Sequence, residues 1–405
     1  MPGCLYSTGG MAVLEIWQVD AFTSVPFGGN PAGVVPDARG LTAAQMQKIA
    51  REMNLSETAF VFPLQPGDAQ PRPQPARPQP ARPQLARPQL ARPQLASVQA
   101  GPAGTLQPAD VHPDFEVRFF TPLAEVDLCG HATIATFASL VQEGRLAPGT
   151  WHQKTAAGIL PIRVDRGDHP GVRVLMGQAE PVFRGHLDPA SLKELAICLR
   201  TDPSQLQAAV APAGTAITSA GTAITPAGTA ITSAGTTITP AGSDKMVTVV
   251  PGVVSTGLFD LLVPLPDRRT LWNLTPDFTH LADFCLRHQI ISTHCFTFDP
   301  LEPAPPSAPG DPLALSQPSA PATVVHCRDF SPAVGINEES ATGTASGALG
   351  AYLAMLGLLP SGALRCEQGH ILGRPSAIDV VIPNNREVWV GGTAVLVLRG
   401  QIMIP

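Results

Sequence analysis

The sequence predicts an α+β protein of two similar halves, each organised around one buried helix. Three observations carry that expectation: a stretch that occurs twice, an alternation of short apolar strands with a few helices, and a length that suits two domains once repetitive tracts are set aside. The repeated stretch reads EVDLCGHATIATFASL at residues 125–140 and EESATGTASGALGAYL at residues 338–353. Without gaps, the copies match at Glu125/Glu338, Gly130/Gly343, Ala132/Ala345, Ala135/Ala348, Ala138/Ala351 and Leu140/Leu353. A lead-in recurs too, Arg118-Phe119-Phe120-Thr121-Pro122 against Arg328-Asp329-Phe330-Ser331-Pro332. It disfavours the plainer reading of two unrelated alanine-rich core helices. In each copy a glycine opens a helix whose alanines, three apart, stay near one face. A helix that small and apolar belongs in a core. Helix amino ends carry free N–H groups and partial positive charge, so two of them at one cleft would hold an anion such as a carboxylate.

The elements follow in order. Leu14–Asp20 reads as a strand. Residues 26–35, Pro-Phe-Gly-Gly-Asn-Pro-Ala-Gly-Val-Val, form a turn running into a strand. That loop could bring Asn30 and its neighbours close to a ligand, although most such clusters are only turns. Thr42 and Gln45 make a capping box for a helix with an apolar stripe of Ala43, Met46, Ile49, Ala50 and Met53. Asn54-Leu55-Ser56 ends it, and Glu57 stands just before the strand Thr58–Phe62. Locally, Glu57 reads as a solvated glutamate at a strand start. The sharper reading is a carboxylate set among apolar neighbours and suited to proton transfer. Phe115–Phe120 is a strand, residues 155–164 a hairpin, residues 171–176 a strand and residues 188–199 a helix. Residues 247–250 and 258–263 read as strands around the turn Ser255-Thr256-Gly257. Residues 278–289 read as a helix, and strands follow at 293–298, 323–330, 378–382, 388–390 and 394–398.

Three low-complexity inserts interrupt this pattern, at about 65–109, 212–241 and 303–321. Proline at every turn of the ARPQL/ARPQP tract blocks helix and ladder bonds, and Gly and Pro punctuate the AGTAIT array. All three read as disordered loops. Without them about 290 residues remain, room for two domains of about 140 each. The expected layout is a disordered leader at 1–10, a first half-domain at 11–148 joined by the C-terminal strand 393–405, and a second half-domain at 149–392.

Composition narrows the function. A net charge of -6 gives no basic footprint for nucleic acid. No apolar run is long enough to cross a bilayer, and the first residues lack the charged and apolar regions of a secretory signal. Seven cysteines, an odd count without a Cys-x-x-Cys pair, point to reduced thiols in a cytoplasm rather than to a disulfide framework or a zinc site.

Several motifs in fixed order resemble one family. They are Phe27-Gly28-Gly29-Asn30-Pro31-Ala32-Gly33-Val34, Asn54-Leu55-Ser56-Glu57-Thr58-Ala59-Phe60, Phe120-Thr121-Pro122 with Glu125-Val126-Asp127-Leu128-Cys129-Gly130-His131-Ala132-Thr133, Ala341-Thr342-Gly343-Thr344-Ala345, and Gln368-Gly369 with Gly373-Arg374-Pro375-Ser376. The chain resembles the PhzF-like (phenazine biosynthesis-like) family over residues 14–404 apart from the inserts. The resemblance implies a diaminopimelate-epimerase-like fold, two pseudo-symmetric halves each wrapping a curved sheet around a central helix, with the site between them. It implies isomerisation of a small carboxylate-bearing metabolite by proton transfer without metal or cofactor, in a homodimer. The family's general acid/base falls on Glu57 and its histidine on His131. Its second-half aspartate and serine fall on Glu339 and Thr344, departures that keep the chemical groups but change their reach. Asn30, Gly130, Gly343 and Thr344 are the expected substrate contacts, and Glu57, His131 and Glu339 the expected catalytic set. Two alternatives stand beside this reading. One is an amino-acid epimerase or racemase, since Cys129-Gly130-His131 resembles one half-site of the cysteine-pair racemases, although the matching position is Thr342. The other is a non-catalytic protein that binds a small ligand on the same fold.

Overall fold

Two buried helices of equal length, each begun by a glycine, form the centre of the molecule. The structure is a computed structural model, and it describes residues 6–8, 11–64, 111–166, 172–210, 247–301, 323–359, 362–384 and 386–404. The three inserts lie outside the described residues. The described helices are Ala43–Met53 (α1), Gly130–Gln142 (α2), Pro189–Leu199 (α3), Arg268–Trp272 (α4), Phe278–His288 (α5) and Gly343–Met355 (α6). Helices α2 and α6 are 13 residues each and are buried on nearly every face. Their small side chains let strands approach from all sides, which is why neither shows the polar face of a surface helix.

The strands around α2 pair in a closed ring. Met11–Ala21 pairs antiparallel with Asn30–Val35, which runs parallel to Glu57–Pro63. Glu57–Pro63 pairs antiparallel with Phe115–Phe120, which runs parallel to Gly149–Thr155. Gly158–Asp165 and Val172–Gly177 follow antiparallel, and the strand Glu387–Ile404 closes the ring onto Met11–Ala21. Around α6 the same order of antiparallel and parallel pairings recurs. Gly252–Ser255, Phe259–Pro264, Ser292–Thr297, Thr323–Ser331, Ala363–Gln368, Ser376–Asn384 and the start of Glu387–Ile404 take the corresponding places. The repeated lead-in makes the same bidentate ion pair twice. Arg118 grips Glu125 at 2.7 and 2.7 Å, and Arg328 grips Glu338 at 2.8 and 2.8 Å.

The remaining helices lie outside the ladder. Helix α1 packs Met46 and Ile49 with Val35, Phe60 and Phe120, behind a capping box between Thr42 and Gln45. Helices α3 and α5 pack Leu195, Leu199, Leu281 and Phe284 with Leu261, Val263 and Phe330.

The structure differs from the sequence reading in several places. The two expected C-terminal strands are one, Glu387–Ile404, which serves both ladders. Gly391-Gly392 does not break it but permits contact: a Cβ on Gly391 would lie 1.8 Å from the Val174 carbonyl oxygen. Val247–Val249 does not cross the 255–257 turn. It pairs with Ala208–Val210, and Gly252–Ser255 makes the hairpin instead, because Pro251 cannot donate a ladder bond. Within the expected leader, Tyr6–Thr8 pairs with Met11–Val13, as β-favouring residues can. The short helix α4 was not expected. The six described cysteines are free thiols, all buried. Among the described residues no helix is long and apolar enough to cross a membrane.

Candidate active site

Glu57 opens its strand immediately after the turn that ends α1, where Asn54 takes the left-handed cap conformation. Its side chain points inward, 13% exposed, against the amino end of α2. Its Oε2 lies 3.3 Å from His131 Nε2, without the alignment of a hydrogen bond, and has no other hydrogen-bond partner. The solvated reading of Glu57 is therefore overturned. The residues that follow it in the strand are core on both faces, and they carry position 57 to the edge of the interior.

His131, 5% exposed, also touches Ser56 Oγ at 3.4 Å and Cys129 Sγ at 3.4 Å. Burial pulls its pKa down and the Glu57 charge opposes that, with burial prevailing, so the imidazole tends to be neutral. Burial and the Glu57 charge push the Cys129 thiol well up. Cys129 and Thr342 occupy the N-cap positions of α2 and α6, and neither side chain caps its helix. The first-turn N–H groups after Gly130 and Gly343 are therefore not taken by a capping side chain, as an anion site requires.

The second cluster joins Asn30 of the first ladder to the other ladder. Asn30 Nδ2 donates to Glu339 Oε1 and to the Ala341 carbonyl, both at 3.0 Å, and Thr342 Oγ1 donates to Glu339 Oε2 at 3.2 Å. Burial, then the charges of Glu57 and Asp329, push the Glu339 pKa up to about 8 against these hydrogen bonds. Glu57 and Glu339 thus face one another closely enough to interact, one from each ladder. Gln368 braces this side: its Oε1 accepts from Thr342 N at 3.2 Å, and its Nε2 donates to the Glu339 carbonyl at 2.9 Å and to Thr342 Oγ1 at 3.1 Å.

The Gly-Asn-Pro loop is more than a turn. Arg374 donates to Asp20, to the Gly28 carbonyl and to the Gly29 carbonyl at 2.8, 2.7 and 2.9 Å, and Ser340 Oγ donates to the Gly29 carbonyl at 3.0 Å. Gly29 sits at φ +61, where a Cβ would lie 2.1 Å from the Ala21 carbonyl oxygen. Only glycine allows that fold-back, and it aims Asn30 at Glu339.

Of the expected residues, the structure brings together Glu57, His131 and Gly130 on one side and Asn30, Glu339 and Gly343 on the other. Thr344 lies half-buried in the first turn of α6, with its carbonyl accepting from Thr256 Oγ1 at 3.4 Å. Thr342, Gln368 and Arg374 were missed as site residues, although Gln368 and Arg374 stand in motifs that the sequence displays. Glu57, Cys129 and His131 offer donor atoms within 4.8 Å of one another, the one such potential metal group among the described residues. A thiol binds an ion as the thiolate, and here burial and a carboxylate oppose its deprotonation, so the group fits acid/base work better than a resident ion.

These features define a strand-rich α+β protein with paired carboxylates at two helix amino ends. The profile of the phenazine biosynthesis-like protein family (PhzC-PhzF) matches residues 19–73, 105–224 and 312–400. The chain belongs to that family. An uncharacterised isomerase from Clostridium acetobutylicum is 28% identical over 398 residues, covering 96% of this chain and 98% of that protein. An uncharacterised isomerase from Deinococcus radiodurans is 29% identical, covering 93% and 88%. The crystal structure of a Bacillus anthracis phenazine biosynthesis protein of the PhzF family superposes with a TM-score of 0.64 at 23% identity, covering 97% of this chain and all of that one, and shares the fold.

Proposed function

We propose that this chain is an isomerase that moves a proton on a small carboxylate-bearing metabolite, with Glu57 as general acid/base. The observation that carries the reading is the buried Glu57 Oε2 with no hydrogen-bond partner, beside a helix end left uncapped. A buried polar atom without a partner is costly and is retained where a ligand supplies the partner. The substrate carboxylate lies between the helix ends at Gly130 and Gly343. Glu57 takes a proton from an adjacent carbon, and the electron pair left behind is delocalised toward the carboxylate. The same group returns the proton at the far end of a conjugated carbon–carbon double bond, which shifts toward the deprotonated carbon and completes the isomerisation. Glu339, neutral below a pH of about 8, polarises the substrate as a donor, and Asn30 fixes its orientation. His131, neutral and packed against Glu57, orients the substrate, and Thr344 borders the anion.

In this reading the two ladders are duplicated half-domains, 11–148 with 393–405 and 149–392, and the active site lies where they meet. The chain acts in the cytoplasm, the reading its reduced cysteines favour, and as a homodimer, as the family resemblance implies. Light scattering on the purified protein tests the assembly. The test of the chemistry is solvent deuterium uptake by small carboxylic and amino acids, followed by NMR, with Glu57→Gln as control. Uptake that persists in Glu57→Gln, or that vanishes only in Cys129→Ala, would move the reading to a thiol racemase. Tight binding without any uptake would make the chain a binder.

A further inference from the structure

The two ladders match in pairing but differ in one row of side chains. In the first, Ala59 lies opposite Phe119 and Phe119 opposite Val126. At the same places in the second, His294 lies opposite Asp329 and Asp329 opposite Glu339. Directly opposed residues of antiparallel strands project to one face, so the three side chains stand in a row. His294 and Asp329 are both fully buried, and the imidazole donates from Nδ1 to Asp329 Oδ1 at 3.0 Å. Ser331 Oγ donates to the other carboxylate oxygen at 3.0 Å. Burial works against a charged His294, yet the Asp329 carboxylate and, after it, the nearby Cys366 push its pKa up to about 9.

The first ladder shows that the fold forms with an apolar row here. A buried ion pair rarely adds stability over apolar packing of the same size, so its presence calls for another role. The row ends at Glu339, which stands in the site.

We propose that the buried Asp329–His294 pair is a positioning device for Glu339, setting a carboxylate beside that side chain on the same face of the ladder. This inference rests on the acid role assigned to Glu339 above. His294 holds Asp329 in one orientation, and Asp329 faces Glu339 across the ladder. Its negative charge opposes ionisation of Glu339, as does Glu57 from the other ladder. Cys129 and His131 face the same site from α2, and Asn30 and Thr342 supply uncharged donors. On its far side Asp329 interacts with Asp260 and with the thiols of Cys285, Cys295 and Cys327. The acid at position 339 is thereby held in its protonated form across from the base assigned to position 57, as paired carboxylates need for acid/base work.

The experiment is a carboxyl carbon-13 NMR titration of the full chain labelled at glutamate, with Glu339→Gln identifying the signal. In the wild-type protein the Glu339 midpoint is expected near 8. In Asp329→Asn, with the near-ultraviolet circular dichroism unchanged, it falls by about one unit or more, the size of a like-charge effect at close range. His294→Gln, which removes the cation from the pair, displaces the same midpoint and is the variant to read if Asp329→Asn fails to fold. A wild-type midpoint in the ordinary carboxylate range overturns the proposal without any variant. So does a midpoint that stays put in a folded variant. The titration uses no substrate, so a chain that fails the deuterium test can still pass this one, and the converse also holds.

Discussion

The repeated arginine–glutamate pair offers an internal comparison of burial. Arg328 is 8% exposed and Glu338 12%, whereas Arg118 and Glu125 are 22% and 38% exposed. Besides Glu338, Arg328 donates to the carbonyls of Leu271 at 3.1 Å and Leu274 at 2.9 Å. Arg328→Met leaves a mostly buried carboxylate alone and takes a donor from three carbonyls, those of Leu271, Trp272 and Leu274. Breaking a buried pair from one side costs about 3–5 kcal/mol. Arg118→Met breaks the same bidentate geometry where water can replace it, at about 0.2–1 kcal/mol. Urea unfolding followed by circular dichroism reads both variants, with midpoint and slope fitted together. The double variant Arg328→Met/Glu338→Leu should recover much of the loss, because no unpaired charge remains. Equal losses for Arg328→Met and Arg118→Met would refute the argument that burial, not the motif, sets the energy.

Three further outcomes follow from the site and the ladders. Glu57→Gln should keep the fold and lower deuterium exchange by about 10²-fold or more, the size of a lost positioned acid/base, while Cys129→Ala should cost less; single-turnover exchange measures both. The Glu339 carboxyl, at about 8 in the fold against an ordinary 4.5, binds its proton more tightly folded than unfolded. Its stabilising contribution is therefore complete below the unfolded pKa and is lost as pH rises through 8, so the wild type weakens between those values and Glu339→Gln weakens less, by urea unfolding at several pH values. Gly391→Ala, whose Cβ would press 1.8 Å from the Val174 carbonyl oxygen, should destabilise by about 1–3 kcal/mol or more, read from the same unfolding curves.

Much of the fold is legible in the sequence because its signals are local. Glycine at 130 and 343, alanines at spacings of three, the capping box at Thr42 and the Arg-x-Phe lead-in all declare themselves within a few residues. The surroundings of Glu57 do not. Its burial follows from an encounter with α2, more than seventy residues later in the chain. Gly391-Gly392 reads as a break because nothing nearby reveals that Val174 must come so close. Gln368 and Thr342 stand in visible motifs, yet their bonds to the Glu339 backbone and side chain arise only when two strands and a helix end converge. The row of His294, Asp329 and Glu339 is the least legible feature. Each residue comes from a different strand, and register alone aligns them.

That row also separates what the chain needs to fold from what it keeps for chemistry. If the ladder tolerates Ala59 against Phe119 in one copy, it should tolerate alanine against phenylalanine in the other. The variant His294→Ala with Asp329→Phe transfers the apolar pair to the second ladder. Replacing a buried ion pair by packed apolar side chains is neutral or stabilising by about 1–4 kcal/mol when volume is kept, and this swap moves volume from one partner to the other. The variant should therefore unfold at a urea midpoint no lower than that of the wild type. Its deuterium exchange should lose its alkaline limb near pH 8, because Glu339 would face Glu57 without the Asp329 charge beside it. A variant that is both much less stable and unaltered in its pH profile would mean that the pair serves the fold alone.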